Sequence, residues 1–168
     1  ILGNAEKEFK DFVEKSGIPA AWTILGLSAL PTSHNLNVGM VGMHGNYGPN
    51  ILTNKCDLLI AIGMRFDDRV TGDPKTYASQ AKIIHLDIDP AEINKNIIAD
   101  VPVIGDCKDS LKRITNKTEK KSHSKWISKF DDLMKIEFDK VIKSDLNPLK
   151  DGLTMGESII AINEFTNG

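Results

Sequence analysis

Three apolar segments of strand length constrain the fold of this 168-residue chain more than any other feature. They read DLLIAIG at residues 57–63, KIIHLD at 82–87 and VPVIG at 101–105. Unbroken apolar runs of this length are typical of parallel strands that are covered on both faces, and helical patterns separate them along the chain. The sequence therefore predicts an α/β fold built on a parallel sheet.

Local patterns predict the other elements in the first part of the chain. Apolar residues at helical spacing indicate a helix over residues 4–16, with Asn4 placed to cap it and Gly17 placed to end it. The remaining predictions are a short strand at 18–23, mostly loop at the glycine-rich residues 39–48, and helices at 47–55 and 106–114.

The composition changes after Ile114. Residues 115–125 are polar and rich in Lys and Ser, which indicates a linker. Residues 126–142 carry an apolar stripe at helical spacing and predict a long helix that must lie against a partner. Pro148 breaks this pattern, and Thr154 and Glu157 form a capping box that opens a last helix. We therefore expect a domain at 1–116, a linker with a long helix at 117–152, and the beginning of another domain at 153–168.

Composition excludes several classes of function. A formal net charge of −2, from 21 basic and 23 acidic residues, leaves no basic patch for nucleic acid or an anionic membrane. We find no apolar segment of the ~20 residues that span a membrane and no secretory signal, so we expect a cytoplasmic location. Cys56 and Cys107 are interpreted as small core residues, and His44 and His85 as structural, so no metal site is expected.

A turn rich in Gly, Asp and Arg follows each of the three predicted strands. These turns read GMRFDDR at 63–69, DIDPAE at 87–92 and GD at 105–106. Because ligands of parallel α/β sheets bind outside the carboxyl ends of the strands, we expect the three turns to line one crevice. Carboxylates accept hydrogen bonds from ribose hydroxyls, Arg binds phosphate, and glycine lets the backbone approach a cofactor closely. The set therefore indicates a nucleotide-type ligand.

Structural interpretations of the same residues stay open at this point. Asp89, followed by Pro90 and with Glu92 three positions after it, has the pattern of a helix start. The charged residues within 65–69 also fit surface ion pairs, which are common and contribute little. The glycines of residues 39–48 do not match the Gly-x-Gly-x-x-Gly fingerprint of dinucleotide sites.

Longer phrases of the sequence resemble one enzyme family. The phrases GMHG at 42–45, RFDDRVTG at 65–72 and KIIHLDIDPAEI at 82–93 resemble the acetolactate (acetohydroxyacid) synthase large catalytic subunit in content, order and spacing. The similarity runs from about Gly17 to Leu111, and RFDDR resembles the biosynthetic, FAD-containing branch. The resemblance implies the central FAD/NAD-binding-like domain of a thiamine-diphosphate enzyme, a Rossmann-like parallel sheet with helices on both faces.

The resemblance also implies a set of FAD contacts by matched position. They are Thr23, Ile24, Leu25, Met43, His44, Gly63, Arg65, Asp67, Arg69, Asp87, Ile88, Asp89, Glu92, Gly105 and Asp106. In the order of this list, the first five residues would lie along the flavin, the next four at its ribityl and phosphate portions, and the last six at its adenosine end. Met43, Asp68 and Arg69 would border the channel that leads substrate to the thiamine ring.

For the full-length protein, the resemblance implies acetolactate synthase activity in branched-chain amino-acid biosynthesis. The enzyme condenses two 2-ketoacids, pyruvate with pyruvate or 2-ketobutyrate, with loss of CO2 on thiamine diphosphate and Mg²⁺, while FAD is mainly structural. A homo-oligomer with a small regulatory subunit is implied. Three features of the family lie in segments that this sequence does not match. They are the Glu that activates thiamine, the Gly-Asp-Gly motif that begins the diphosphate and magnesium site, and the Gly-rich turn at the flavin diphosphate. We therefore expect no catalytic residue here, no activity of the chain alone, and weakened FAD binding.

Two other hypotheses remain. One is the central domain of a different thiamine-diphosphate carboligase or decarboxylase, which is expected to differ in the phrase at 65–72. The other is a free-standing nucleotide-binding module, because a fold alone does not determine a function. A linker followed by the first helix of a further domain favours the enzyme over the module.

Overall fold

The computed structural model describes residues 1–146 and 152–166. The elements are α1 (Glu6–Ser16), β1 (Ala20–Trp22), a 3₁₀ turn (Ile24–Gly26), β2 (Asn37–Met40), α2 (Tyr47–Thr53), β3 (Leu58–Ile62), α3 (Asp68–Thr71), β4 (Lys82–Asp87), β5 (Val101–Ile104), α4 (Cys107–Lys117), α5 (Ser124–Glu137), a π turn (Phe138–Ile142), α6 (Lys143–Leu146) and α7 (Met155–Thr166). The predicted α/β fold is confirmed.

The strands of the described residues form two parallel sheets. In the larger sheet, β4 lies between β3 and β5, with Leu58 opposite Lys82 and Ile84 opposite Val101. β1 and β2 form a separate parallel pair. All three apolar segments that the sequence assigned to strands are therefore strands of one parallel sheet, as predicted.

Residues 39–48 are mostly loop, as predicted, but Gly39 and Met40 at their beginning belong to β2. This strand is held in place by β1: Ala20 N donates to Leu36 O at 2.8 Å, and Val41 N donates to Trp22 O at 2.9 Å. In this strand only Val38 and Met40 alternate with Asn37 and Gly39, which is too short a pattern to identify a strand from the sequence. Its pairing partner, and not its own sequence, determines the conformation.

The two ends of α1 differ in how well the sequence predicted them. Gly17 ends the helix with a left-handed φ of 67°, and its N–H bonds to Val13 O, as predicted. Asn4 does not cap the helix, so that prediction is wrong. Ala5 holds the cap position without a side-chain hydrogen bond, and Asn4 has a φ of 47° in a turn closed by its own N–H to Ile1 O.

Strand β3 is covered on both faces, as its unbroken apolar sequence predicted. Ile60 and Ile62 pack against α1 and α4 in a cluster around Phe12 and Leu111. Ala61, on the opposite face, belongs to a second cluster with Phe66, Tyr77 and Ile83. The alternation of side chains along a strand divides the apolar residues between the two clusters. Phe9 of α1 also contacts the Val13 and Leu30 cluster beside β1, so α1 spans both sheets.

Helix α5 confirms the predicted helix and finds a partner for its first half. Phe130 is buried against Val38 and Leu52, with Trp126 and Leu133 beside it. At the end of α5, Glu137 Oε1 accepts a hydrogen bond of 3.1 Å from Tyr47 N, the first residue of α2. The side chains of Met134, Ile136, Phe138 and Val141, which come after Leu133, are exposed. The first half of α5 is therefore packed against β2 and α2, which agrees with the prediction that this helix must lie against a partner.

The capping box before α7 is confirmed. Thr154 N donates to Glu157 Oε2 at 2.9 Å, and Glu157 N donates to Thr154 Oγ1 at 3.1 Å. Thr154 Oγ1 also donates to the carbonyl oxygen of Asp145. Pro148 lies outside the described residues. The three domain bounds derived from the sequence stay predictions.

Among residues 1–146 and 152–166, no helix combines the length and the apolar character that crossing a membrane requires.

Candidate functional site

The carboxyl ends of the three strands in the larger sheet are tied together beyond the strands themselves. Gly63 N donates to Leu86 O at 2.8 Å, and Gly105 N donates to Asp87 O at 2.9 Å. The first bond extends the parallel pairing of β3 with β4 by one residue, and the second extends the pairing of β4 with β5. Gly63, Asp87 and Gly105 are therefore neighbours along one edge of the sheet, as the sequence predicted.

The turn after β3 combines a buried anchor with an exposed charge. Gly63 and Phe66 both adopt left-handed φ angles, 58° and 54°, which is uncommon for a phenylalanine. The Phe66 ring is buried and packs edge-on against Tyr77 and His85, with centroids 6.2 Å and 5.0 Å away. Arg65, one residue before it, has a side chain that is 69% exposed. The turn thus directs its arginine to the surface while its phenylalanine fixes it to the core.

Asp67 serves two structural purposes beside Arg65. Its Oδ1 accepts a hydrogen bond of 3.0 Å from Arg69 N and so caps α3, and its Oδ2 accepts one of 3.3 Å from Arg65 Nε. The surface ion pair considered from the sequence therefore exists, although an exposed pair contributes under ~1 kcal/mol. Because the pair forms through Nε, the terminal nitrogens are the part of the guanidinium suited to a phosphate.

The turn after β4 contains no helix, so the structure does not support the alternative interpretation of Asp89 as a helix start. Asp87 Oδ1 accepts from Asp89 N, and Asp89 Oδ1 accepts from Ala91 N, both at 2.9 Å. These short-range bonds close successive turns instead of leading into a helix. Asn94 then takes a left-handed φ of 59°, and its Oδ1 accepts from Ala99 N, which turns the chain toward β5.

Two other predicted residues of this turn, Glu92 and Ile88, differ in burial. Glu92 pairs with Lys95 through Oε1 at 2.7 Å, whereas its Oε2 is buried and has no hydrogen-bond partner in the structure. Ile88 is 70% exposed next to Asp87. A buried carboxylate oxygen without a donor is an available acceptor for a ligand hydroxyl.

After β5, Gly105 and Asp106 lead into α4. Asp106 Oδ1 caps the helix by accepting a hydrogen bond of 3.0 Å from Asp109 N. A Cβ added to Gly105 would meet only Ser110 Oγ at an ordinary 3.5 Å, so space does not require glycine here. Gly63, by contrast, needs glycine for its positive φ, and a Cβ there would face open space.

The loop after β2 reaches the turn after β3. Met43 N donates to Arg69 O at 2.8 Å, and Arg69 Nη1 lies 4.0 Å from Met43 Sδ. Gly42 contacts the same carbonyl so closely that an added Cβ would lie 2.8 Å from it. Asn50 fixes this loop with two hydrogen bonds of 2.9 Å, one to each polar backbone atom of Gly42. Asn50 could not be identified from the sequence, because its partner Gly42 lies eight residues away in a loop.

The remaining predicted residues also lie at the carboxyl ends of strands. Thr23 follows β1, and the 3₁₀ turn after it leaves Ile24 and Leu25 68% and 85% exposed. His44 follows Met43 in the exposed loop after β2, and Asp68 is the exposed first residue of α3. Because β2 pairs with β1 and its loop contacts α3, the ends of both sheets meet on one side of the molecule.

Burial perturbs the pKa of three groups that are not among the predicted site residues. Cys56 and Cys107 are only partly buried, and are not the core residues that the sequence predicted. Burial raises the pKa of the Cys56 and Cys107 thiols, and Cys107 packs against the Phe12 and Leu111 cluster. Burial, with a smaller contribution from Cys56, raises the pKa of Tyr77 to about 12. Within the described parts of the chain, no three His, Cys, Asp or Glu side chains are grouped as metal ligands.

A hollow of about 530 Å³ lies at the opposite edge of the sheet. Its lining includes Tyr77, Lys82, Ile97 and Asp100, near the amino ends of β4 and β5. None of the predicted site residues lines it. Since ligands of parallel α/β sheets bind at the carboxyl ends of strands, this hollow is not the candidate site.

Known proteins with similar sequences agree with the family resemblance. The probable acetolactate synthase large subunit of Methanocaldococcus jannaschii is 40% identical over 168 residues, which cover 98% of this chain and 28% of that protein. The acetolactate synthase large subunit of Corynebacterium glutamicum is 46% identical over 132 residues, covering 76% of this chain and 21% of that protein. The acetolactate synthase of Mycobacterium leprae is 51% identical over 108 residues, covering 64% of this chain and 17% of that protein.

The chain thus spans less than a third of the length of these relatives. Residues 1–114 match the family model described as the central domain of thiamine pyrophosphate enzymes, which is the part of the chain that holds both sheets and all the turns at their carboxyl ends. The chain belongs to the family of thiamine pyrophosphate enzymes and contains their central domain.

Proposed function

We propose that this chain is the central domain of an acetolactate synthase large subunit and that it binds FAD at the carboxyl ends of its strands. The observation that carries the proposal is the alignment of Gly63, Asp87 and Gly105 along one edge of the larger sheet, held by two ladder bonds to β4. Three turns with complementary chemistry thereby lie side by side.

The available polar groups fit the phosphate and ribose portions of a dinucleotide. Arg65 presents a mostly exposed guanidinium for a phosphate, and the turn before it is free of side-chain atoms at Gly63. The carboxylates of Asp87 and Glu92 suit ribose hydroxyls, since Glu92 Oε2 is buried without a donor. Asp67 uses both of its oxygens in the structure, and we assign it a supporting role. Asp87, Asp89 and Asp106 each use Oδ1 in a turn or cap, and we propose Oδ2 for contact with the ligand.

The apolar groups fit the flavin ring. Ile24 and Leu25 are largely exposed after β1, and Met43 is 64% exposed after β2. Exposed apolar side chains that adjoin a polar edge mark a binding surface more often than isolated ones do. Thr23, His44, Arg69 and Ile88 complete the set that we propose to contact the cofactor.

In the full-length protein, we propose that the flavin stabilises the domain and that the chemistry takes place on thiamine diphosphate with Mg²⁺. The reaction is the condensation of two 2-ketoacids with loss of CO2, and Met43, Asp68 and Arg69 border its substrate channel. A homo-oligomer with a small regulatory subunit is part of this proposal. The names of the relatives support acetolactate synthase over another thiamine-dependent carboligase or decarboxylase, and over a free-standing nucleotide-binding module.

Flavin fluorescence tests the proposed site. The 168-residue chain is titrated with FAD, and the titration is repeated with Arg65→Ala and with Lys82→Ala. Loss of one charge-assisted phosphate contact is expected to weaken binding about tenfold or more in Arg65→Ala. Lys82 is also a mostly exposed cation, at the opposite edge of the sheet, so Lys82→Ala controls for a general loss of positive charge. Equal affinities of all three proteins, or no binding by the unmodified chain, contradict the proposal.

A further inference from the structure

A histidine beneath the candidate site has a hydrogen bond that core packing does not require. His85 lies on β4 on the same face as Ile83 and Asp87, and it has no exposed surface. Its Nε2 lies 2.8 Å from Met64 O, in the turn after β3. Its Nδ1 is buried without a hydrogen-bond partner in the structure. Asp87 Oδ2 is 4.0 Å from Nε2, beyond hydrogen-bond distance.

The contact with Met64 determines which ring nitrogen carries the proton. A carbonyl oxygen only accepts, so Nε2 must donate, and Nδ1 of the neutral ring is left as an unpaired acceptor. An unpaired buried acceptor is unfavourable, whereas an aliphatic side chain of similar size would leave no such atom. Apolar packing alone therefore does not explain the imidazole, and the hydrogen bond to the Met64 carbonyl is the feature that an aliphatic side chain would not supply.

The turn that His85 contacts is the one that carries Arg65. Its backbone takes two left-handed residues, Gly63 and Phe66, and a phenylalanine adopts that conformation only where its surroundings hold it there. His85 contributes twice, through the hydrogen bond to Met64 and through edge-on contact with the Phe66 ring. Asn96 Nδ2 supplies a further bond of 3.0 Å to Arg65 O. The carbonyl oxygens of Met64 and Arg65 are thus each held by a side-chain hydrogen bond, from His85 and from Asn96.

We infer that His85 is a positioning residue, which fixes the turn after β3 so that Arg65 and Gly63 face the ligand at the carboxyl edge of the sheet. This inference rests on the proposed FAD site. His85 touches no ligand itself. It acts through the Met64 carbonyl, and Asn96 performs the same function at the neighbouring residue.

The test compares FAD affinity with thermal stability in the 168-residue chain. His85→Leu removes the donor and retains an apolar side chain, whereas His85→Gln retains an N–H that can reach Met64 O. We expect His85→Leu to weaken FAD binding at least tenfold and His85→Gln to restore it to within about threefold of the original chain. A purely structural role predicts instead that affinity follows the melting temperature in both variants.

Asn96→Ala is the second variant, because Asn96 is exposed and its loss leaves the core intact. We expect it to weaken FAD binding about threefold or more with little change in melting temperature. FAD binding that is unchanged in both His85→Leu and Asn96→Ala overturns the inference and leaves the proposed site standing. Absence of FAD binding by the unmodified chain overturns the proposed site, and the inference with it.

Discussion

The backbone N–H of Met43 donates a 2.8 Å hydrogen bond to the carbonyl oxygen of Arg69, across 26 positions of sequence. Met43 follows the smaller sheet and Arg69 lies in the short helix after β3, so this bond joins the carboxyl ends of the two sheets. The proposed flavin contacts on the smaller sheet and the proposed phosphate contacts on the larger sheet are therefore held on one side of the molecule.

Gly42 is predicted to be essential for this junction. It has a φ of 107°, and a Cβ would lie 2.8 Å from Arg69 O. Gly42→Ala is expected to lower the free energy of unfolding by about 1–3 kcal/mol, as measured by urea denaturation. Gly105→Ala is the matched control, because its Cβ would meet only Ser110 Oγ at 3.5 Å, and we expect a change within ~0.5 kcal/mol. Equal effects of the two substitutions would show that the close approach at Gly42 is not what stabilises the junction.

Arg69 is predicted to act in the substrate channel and not in stability. Its backbone carbonyl makes the bond to Met43, which Arg69→Ala retains, and its side chain is exposed. In a full-length large subunit that contains this domain, Arg69→Ala is expected to lower kcat/KM at least tenfold. The expected loss of stability is under ~1 kcal/mol, because exposed charged contacts contribute little. Parallel losses of activity and of melting temperature count against the channel assignment.

Helix α5 is predicted to be an integral part of the domain, although the sequence before it resembles a linker. Phe130 is 7% exposed between Val38 and Leu52, and its removal leaves a cavity. Phe130→Ala is therefore expected to lower the free energy of unfolding by about 3–5 kcal/mol. Met134, one turn later, is 48% exposed, and Met134→Ala is expected to change it by less than ~1 kcal/mol. Chemical denaturation followed by tryptophan fluorescence measures the free energy of unfolding of both variants. A loss of less than ~1 kcal/mol in Phe130→Ala would show that α5 does not unfold cooperatively with the domain.

The ion pair between Lys82 and Asp100 is predicted to make part of the stability depend on pH. A 2.7 Å hydrogen bond from Lys82 Nζ, and then one from Ile83 N, hold the pKa of Asp100 below its ordinary value of 3.8. A carboxyl whose pKa is lowered by folding stabilises the protein above its unfolded pKa, and this contribution is lost as pH falls through the folded pKa.

The difference in melting temperature between the unmodified chain and Asp100→Asn should therefore be constant near neutral pH and shrink below pH ~4. Melting curves recorded by circular dichroism at a series of pH values measure it. A difference that stays constant down to pH ~2.5 would show that Asp100 titrates normally in the folded state.

Much of the fold could be predicted because its signals are local. The strand at 57–63 is an unbroken apolar run, Gly17 has the conformation that ends a helix, and Thr154 with Glu157 forms a capping box within four residues. The position of the strand-end turns could be predicted as well, because parallel strands bring their carboxyl ends to one edge.

The parts that could not be predicted depend on contacts between distant residues. The short strand β2 is a strand because it pairs with β1, and the loop after it is held by Asn50. The structural interpretation of His85 agrees with its complete burial, but nothing in an apolar strand indicates that its Nε2 faces Met64 O, 21 positions earlier. Asp89 has the sequence of a helix cap, but its turn leads through a left-handed Asn94 and not into a helix.

An NMR titration tests most directly where FAD binds on the domain. Backbone amide resonances of the 168-residue chain are followed while FAD is added, and the affinity is taken from the same titration. We expect saturable shifts at Gly63, Asp87 and Gly105. The expected dissociation constant is on the order of micromolar, because the 168-residue sequence does not match the Gly-rich turn that the family resemblance implies at the flavin diphosphate. Shifts that cluster instead around the hollow at Tyr77, Lys82 and Asp100, or no saturable shifts at all, would contradict an FAD site at the carboxyl ends of the strands.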